Sequence, residues 1–284
     1  MTILVTGASG HLGRLIVESL LERGVAADTI IAAARKPEVL ADLAARGVRT
    51  VELDYTKPET ITAALPGVDH LMLVSSSVPG SRVAEHQNVI DAAKAAGVEH
   101  LVYTSATDAR DSALVLAPEH KATEEAIEAS GIPATILRNG WYSENYTRTF
   151  ATAVQTGEVV ANVGEGRVSS ASRKDYAEAA AAVLSEPGHV GKVYELSGDT
   201  AWDFTELAAT IAGIAGTPVV YRSLTAEEHA AELAAHGLDE GTIGFVVGLD
   251  ENIRAGLLGN TPGDLSRLIG RPTTPLAEGL AAAV

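Results

Sequence analysis

A glycine-rich run near the start carries the clearest chemistry. Gly7-Ala8-Ser9-Gly10-His11-Leu12-Gly13 has the form G-x-x-G-x-x-G. Glycines let the backbone bend sharply and bring its N–H groups against a pyrophosphate, and the last one packs helix on strand. Gly7, Ser9, Gly10, His11 and Leu12 are therefore the expected phosphate contacts. A second cue stands at Ala34-Arg35-Lys36. A site for NAD usually has an acid there for the ribose hydroxyl, whereas Arg35 suits the extra phosphate of NADPH. With two cations and no acid, NADPH is the expected cofactor; a solvated helix start is the other reading. Asp54 is placed to reach the adenine or to cap a turn. Ser75, Ser76 and Ser77 offer small hydroxyls to the ribose and nicotinamide, or form a merely polar loop.

These residues need elements that bring them to one edge. Short apolar runs alternate with helix-period segments, the pattern of a parallel sheet with crossover helices. Strands are predicted over 3–5, 30–34, 48–53, 70–74, 101–103 and 134–137. Helices are predicted over 12–23, 39–46, 83–96 and 119–130, and Thr56 with Glu59 reads as a capping box for one ending at Leu65. The glycine run then lies between the first strand and first helix, the context that supports the motif. After Asn139 the rhythm breaks into an aromatic cluster, Trp141, Tyr142, Tyr146 and Phe150. A helix over 175–184 and a strand over 193–196 return to the first pattern. Asp203 with Glu206, and Thr225 with Glu228, are further capping boxes; the stretch after Gly237 is weakly patterned. The expected fold is α/β: a doubly wound Rossmann sheet over 1–140, rejoined by 172–198. A smaller α+β substrate domain takes 141–171 and 199–284.

Composition removes other classes. The 284 residues are 46% hydrophobic and 20% charged, which supports a packed core and excludes disorder as the main state. Thirty-seven acids against 21 bases give a net charge of −16, so no basic footprint for nucleic acid is expected. No apolar run reaches about 18 residues, so no membrane span is expected. Cysteine is absent and the histidines lack metal spacing, so neither thiolate chemistry nor a metal site is expected. MTILVTGASG enters a strand at once without a basic leader, so a cytoplasmic location is expected.

The chain resembles the NmrA-like branch of atypical short-chain dehydrogenases/reductases, and is especially similar to the bacterial type-2 NAD(P)H:quinone oxidoreductases. The matching stretches include TGASGHLGRLIVESLLERG, AARKPE, LMLVSSS and GVEHLVYTSA. EHKATEEAIEASGIPATILRNGWYSENY, SRKDYAEAAAAVL, GKVYELSGD and LIGRPTTPLAEG match too. The resemblance implies a Rossmann core, NADPH, and a pocket between that core and a small second domain. It also implies that Thr104, Arg138, Asn139 and Arg173 bind the cofactor beside the pocket, and that the protein is a monomer or homodimer.

The wider superfamily places a Tyr four residues before a Lys on the helix after strand five. Here Leu116 falls on the tyrosine position and His120 on the lysine position, with Lys121 one residue away. The usual proton relay is absent. Reduction of an isolated ketone makes a strongly basic alkoxide that needs a positioned acid. Reduction of a quinone makes a far weaker base, which suits a site without one. The residues expected to act are His120 and Lys121, with Trp141, Tyr142 and Asn145 holding a planar acceptor. Core aromatics, a satisfied histidine and a helix cap are their plain alternatives. The function expected is an NADPH-dependent reductase of quinones or related conjugated electrophiles by direct hydride transfer without flavin. A tailoring enzyme acting on an anthraquinone-type polyketide with oxygen is a variant of it. An NADP(H)-binding redox sensor without turnover is the alternative from another class. An isomerase or lyase with tightly held NAD is a third, against which Arg35 speaks.

Overall fold

A computed structural model describes residues 1–78 and 80–284. The strands are Ile3–Val5 (β1), Ile30–Ala34 (β2), Arg49–Glu52 (β3), His70–Leu73 (β4), His100–Ala106 (β5), Ala134–Asn139 (β6), Glu158–Ala161 (β7), Arg167–Val168 (β8), Val193–Leu196 (β9), Trp202–Asp203 (β10) and Val220–Ser223 (β11). The α-helices are His11–Glu22 (α1), Ala41–Ala45 (α2), Pro58–Ala64 (α3), Arg82–Ala96 (α4), Ala117–Ser130 (α5), Thr147–Thr156 (α6), Arg173–Ser185 (α7), Phe204–Ala215 (α8), Ala226–Ala235 (α9), Glu240–Arg254 (α10), Asp264–Ile269 (α11) and Leu276–Ala281 (α12).

Seven strands pair in the order β3-β2-β1-β4-β5-β6-β9, all parallel. β1, β2 and β5 are buried along their whole length. That is why they read as continuous apolar runs and not as alternating ones: helices cover both faces. On one face α7 lies against α1, and its run of buried alanines, Ala179 to Ala182, lets the two helices approach closely. The order reverses direction between β1 and β4, and such a switch point opens a crevice at the carboxyl ends of the strands.

β8 with β10, and β7 with β11, form two separate two-stranded pairs. Trp202, Phe204 and Tyr146 pack edge to face beside them, in a second core with Val163, Leu207 and Ile211. The capping boxes of α8 and α9 form as expected from Asp203–Glu206 and Thr225–Glu228. The one expected at Thr56 does not. The Asp54 carboxylate accepts both the backbone N–H and the hydroxyl of Thr56, and α3 starts instead behind Pro58. The weakly patterned stretch after Gly237 holds the 15-residue α10, in which Asp250 and Ile253 are buried and Ile243, Val246, Val247 and Leu249 are half-buried.

Candidate active site

The cleft at the switch point has a volume of about 610 Å³ and runs from the glycine turn to the segment after β6. At the turn, Gly7 takes a left-handed φ of +60°, and Gly10 is the extended residue before α1. A Cβ at Gly13 would lie 2.4 Å from the Gly7 carbonyl oxygen, so only glycine lets α1 sit this close to β1. No side chain caps α1 and no acid occupies its first turn. Its free N–H groups and positive dipole end face the cleft, an arrangement that fits a pyrophosphate.

Arg35 follows β2 and lines the cleft, and among the described residues its side chain has no ion-pair partner. Beside it, hydrogen bonds from Thr56 hold the Asp54 carboxyl below its ordinary pKa, with Lys57 and Arg35 adding to the effect. An exposed, unpaired guanidinium at this end fits a phosphate better than a bare ribose hydroxyl.

The loop after β4 is held from below. Ser75 N–H donates to Thr104 Oγ1 at 2.8 Å, and Ser76 N–H to His86 Nε2 at 2.9 Å. Arg82 Nε donates to the Ser76 carbonyl at 2.8 Å, and its Nη1 to Glu119 at 2.8 Å. Burial, followed by the charges of His120 and Arg82, drives the His86 pKa down to about 3. The histidine is therefore neutral and its Nε2 stays an acceptor.

His120 lies on α5 with Nδ1 2.8 Å from the Tyr103 hydroxyl, and the residue lines the cleft. Burial first, and then the Arg82 charge, lower its pKa to about 4. Lys121 is not part of the site. One step along a helix turns a side chain by about 100°, and Lys121 is exposed, its Nζ donating to the Arg110 carbonyl at 3.1 Å.

Arg138 also departs from expectation. It does not line the cleft; its guanidinium makes two bonds to the buried Glu124 at 2.9 and 2.8 Å and one to Glu195 at 2.8 Å. Alternation along β6 explains this, because Arg138 and Asn139 face opposite sides. Burial alone would raise the Glu124 pKa, but Arg138 and the Ser105 hydroxyl hold it below its ordinary value.

Asn139 faces the cleft, 7% exposed, with its Nδ2 on the Tyr142 hydroxyl at 3.2 Å. Its Oδ1 is buried with no partner in the protein. An orphaned buried acceptor costs about 1–3 kcal/mol, and a ligand N–H or O–H donor would relieve it. The Arg173 guanidinium sits 4.9 Å from the centre of the Tyr142 ring and donates to Asn145 Oδ1 at 3.1 Å. Trp141, Leu114, Leu116 and Leu258 supply the apolar wall.

Of the expected residues, the glycine turn, Arg35, Asp54, Ser75 to Ser77, Thr104, His120, Asn139, Trp141, Tyr142, Asn145 and Arg173 all come together along this one cleft. Arg82, Tyr55 and Leu258 were not foreseen. A lone basic residue directly behind the serine loop was the signal for Arg82; nothing local marks Leu258, which lies beyond α10. No helix of the described residues is long and apolar enough to cross a membrane.

Comparison with known proteins agrees with this geometry. Residues 7–187 match a family model described as NAD(P)H-binding. Quinone oxidoreductase 2 of Escherichia coli is 46% identical over 276 residues, covering 97% of this chain and 96% of that protein. The crystal structure of an Escherichia coli NADPH-dependent quinone oxidoreductase complexed with NADPH superposes with a TM-score of 0.95, at 45% identity and 99% coverage of both chains. Triphenylmethane reductase of Citrobacter sp., complexed with NADP(H), gives 0.93 at 37% identity, with 100% of both chains covered. The chain belongs to the NAD(P)H-binding family, as an NmrA-like oxidoreductase related to the bacterial type-2 quinone oxidoreductases.

Proposed function

We propose that this protein is an NADPH-dependent reductase of quinones and related conjugated electrophiles, working without flavin. One observation carries the reading: a single cleft joins an uncapped phosphate turn and the unpaired Arg35 to an aromatic slot where Leu116 stands in place of a relay tyrosine. The names of the relatives, a quinone oxidoreductase and a triphenylmethane reductase, support the same class of planar conjugated acceptor.

NADPH, when bound, supplies a hydride that the acceptor takes directly. Gly7 to Leu12 hold the pyrophosphate, Arg35 the additional phosphate, and Asp54 the adenosine end. Asn139 Oδ1 accepts from a donor on the nicotinamide side. Trp141 and Tyr142 hold the acceptor flat, while Leu114, Leu116 and Leu258 exclude water. His120 is neutral and offers a hydrogen bond to an acceptor oxygen; the proton that completes the reaction comes from solvent, because a hydroquinone anion is a weak base.

The apolar wall suits fused rings, so the finer proposal extends the acceptors to anthraquinone-type polyketides, with oxygen completing a hydroxylation after reduction. The test follows NADPH oxidation by its near-ultraviolet absorbance with benzoquinone, menadione and an anthraquinone, in air and without oxygen. Saturable turnover that prefers NADPH to NADH supports the reductase, and oxygen uptake confined to the anthraquinone supports the tailoring variant. Tight NADPH binding with no turnover on any acceptor would overturn the reductase in favour of a sensor.

A further inference from the structure

Arg138 turns its guanidinium away from the cleft, yet the contacts it makes lead back to the cleft wall. It joins Glu124 on α5 at 2.8 Å to Glu195 on β9 at 2.8 Å. Glu124 is also bonded by Arg110 at 3.2 Å. The second oxygen of Glu195 accepts the Asp108 N–H at 3.0 Å and the Thr107 hydroxyl at 3.2 Å. Thr107, Asp108 and Arg110 all belong to the segment 107–116 between β5 and α5. The series Arg110, Glu124, Arg138, Glu195, Asp108 thus begins and ends on one loop.

That loop needs holding. Asp108 has a φ of +48°, the left-handed region, and is the one non-glycine residue there among the described residues. The conformation costs energy for a residue with a Cβ and persists where the surroundings fix it. Near the other end of the loop the Val115 N–H donates to Asn252 Oδ1 of α10 at 2.8 Å. So anchored, the loop sets Leu114 and Leu116 into the cleft.

The strand order says which ligand these leucines meet. Arg35 and Asp54 follow β2 and β3, on one side of β1, so the adenosine half of a dinucleotide crossing the switch point lies there. Its nicotinamide half then lies over β4, β5 and β6, and the loop with Leu114 and Leu116 follows β5 directly. Both leucines belong to the second core, with Trp141 and Leu258, and not to the cores that flank the sheet. An acceptor that takes hydride from the nicotinamide must fit between that ring and this wall.

We propose that Glu195 is a positioning residue for acceptor selectivity: by fixing the turn at Asp108 it sets the width of the slot beneath Leu114 and Leu116, and so favours flat fused rings over single ones. This rests on the reductase reading and deepens it. Glu195 does not line the cleft and acts only through the loop. A loop freed at one end has more conformations to lose when an acceptor orders it, and a fused ring that uses the whole wall loses more than a single ring does.

The test measures kcat and KM for menadione and for benzoquinone in the wild type, Glu195→Ala, Glu195→Gln and Asn252→Ala. Glu195→Ala should lower the ratio of kcat/KM for menadione to that for benzoquinone by about tenfold, the scale of a lost pocket contact. The change should come through the KM of menadione, with kcat and NADPH affinity held. Glu195→Gln keeps one oxygen for the Asp108 N–H and should recover part of the ratio. Asn252→Ala frees the other end of the loop and should lower the ratio in the same direction, so it carries the test even where Glu195→Ala does not fold. Quenching of tryptophan fluorescence by menadione in the NADP+ complex, which holds no hydride to transfer, reads acceptor binding without turnover. If the wild type reduces no quinone while Glu195→Ala still weakens this binding by about tenfold, the reductase reading fails and the loop anchor stands. A ratio that stays unchanged in both alanine variants overturns the proposal. So does an equal loss for both quinones together with weaker NADPH binding, which would make Glu195 a general support of the fold.

Discussion

His120 is the only titratable ring on α5 that reaches the cleft, and its environment sets a sharp limit on what it does. Its Nδ1 lies 2.8 Å from the Tyr103 hydroxyl, the residue is 6% exposed, and burial with the Arg82 charge lowers its pKa to about 4. At pH 7 only about one ring in a thousand is then protonated. A positioned general acid is worth roughly a hundredfold to ten thousandfold, so a thousandfold deficit in the acid form cancels most or all of it. With the Tyr103 O–H donating to Nδ1, we assign the ring proton to Nε2, where a neutral donor contributes about 0.5–1.5 kcal/mol. His120→Leu should therefore lower kcat/KM for menadione by no more than about tenfold, with His120→Gln recovering part of the loss. The profile of kcat/KM against pH should show no histidine inflection near neutrality, rising only below about pH 5. An acid limb near pH 6.5 that disappears in His120→Leu, with a loss of a hundredfold or more, would refute the neutral-donor reasoning.

Three further outcomes follow from other residues. Gly13→Ala forces a methyl to within 2.4 Å of the Gly7 carbonyl oxygen; the turn must open, at a cost of about 1–3 kcal/mol in chemical denaturation and with a marked loss of NADPH affinity in fluorescence titration. Arg35→Gln should erode the preference for NADPH over NADH by about tenfold to a hundredfold, chiefly in KM, while leaving NADH kinetics almost unchanged. The pKa values of His86, His100 and His120 lie at about 3, 4 and 4, with burial the largest cause for each. Because these values are lower in the folded chain than in the unfolded one, the unfolded chain takes up the extra protons as pH falls. Stability is thus full above about pH 6.5 and declines toward pH 4, with each histidine adding up to about 1.4 kcal/mol per pH unit to the slope. A denaturation midpoint that stays flat from pH 6.5 to 4.5 would contradict this.

The sheet, its crossover helices and the glycine turn were legible because their signals are local. Apolar runs are bounded by Gly24, Gly47, Gly97 and Gly131, all at positive φ, and each marks the end of a helix or of the turn that closes it. On α5 and β6 the site residues were legible only through the resemblance, and there the reading failed at single-residue register. Lys121 and Arg138 each stand one position from a residue that does face the cleft, and both periods, about 100° on a helix and 180° on a strand, turn the neighbour away. Thr56 failed for a different reason. Its hydroxyl had two acceptable uses, and Asp54 lay closer than the helix start. α10 was missed because only Ile253 of its apolar residues is fully buried, and its Asp250 accepts the Asn162 N–H at 2.9 Å and lies 3.2 Å from His229. Contacts of that kind join segments far apart in the chain, and no periodicity reports them.

The missing Tyr–Lys relay and the pairing of the arginines are two sides of one design. Where a relay lysine would stand, His120 is kept neutral by burial first and by Arg82 second, and Arg82 is itself tied to Glu119 and to the Ser76 carbonyl. Beneath the cleft, Glu124 is neutralised by Arg138, so the Ser105 hydroxyl, donating to Glu124 Oε1 at 2.6 Å, is engaged and not free to relay a proton. At the two relay positions of the wider superfamily stand Leu116, which carries no proton, and His120, which is held neutral. What remains free of ion pairs among the described cleft arginines is Arg35 and Arg173, in a cleft with a flat apolar wall. Such a cleft lowers the energy of an acceptor that gains negative charge and spreads it over a conjugated ring, and it does little for an isolated carbonyl, whose alkoxide must be protonated as it forms. Restoring a phenol by Leu116→Tyr therefore should not create ketone reductase activity, because neither a lysine nor a protonated histidine stands behind it to lower the phenol's pKa. Measurable reduction of a simple ketone by that variant would show that the fixed protonation states, and not the absent side chain, had been given too much weight.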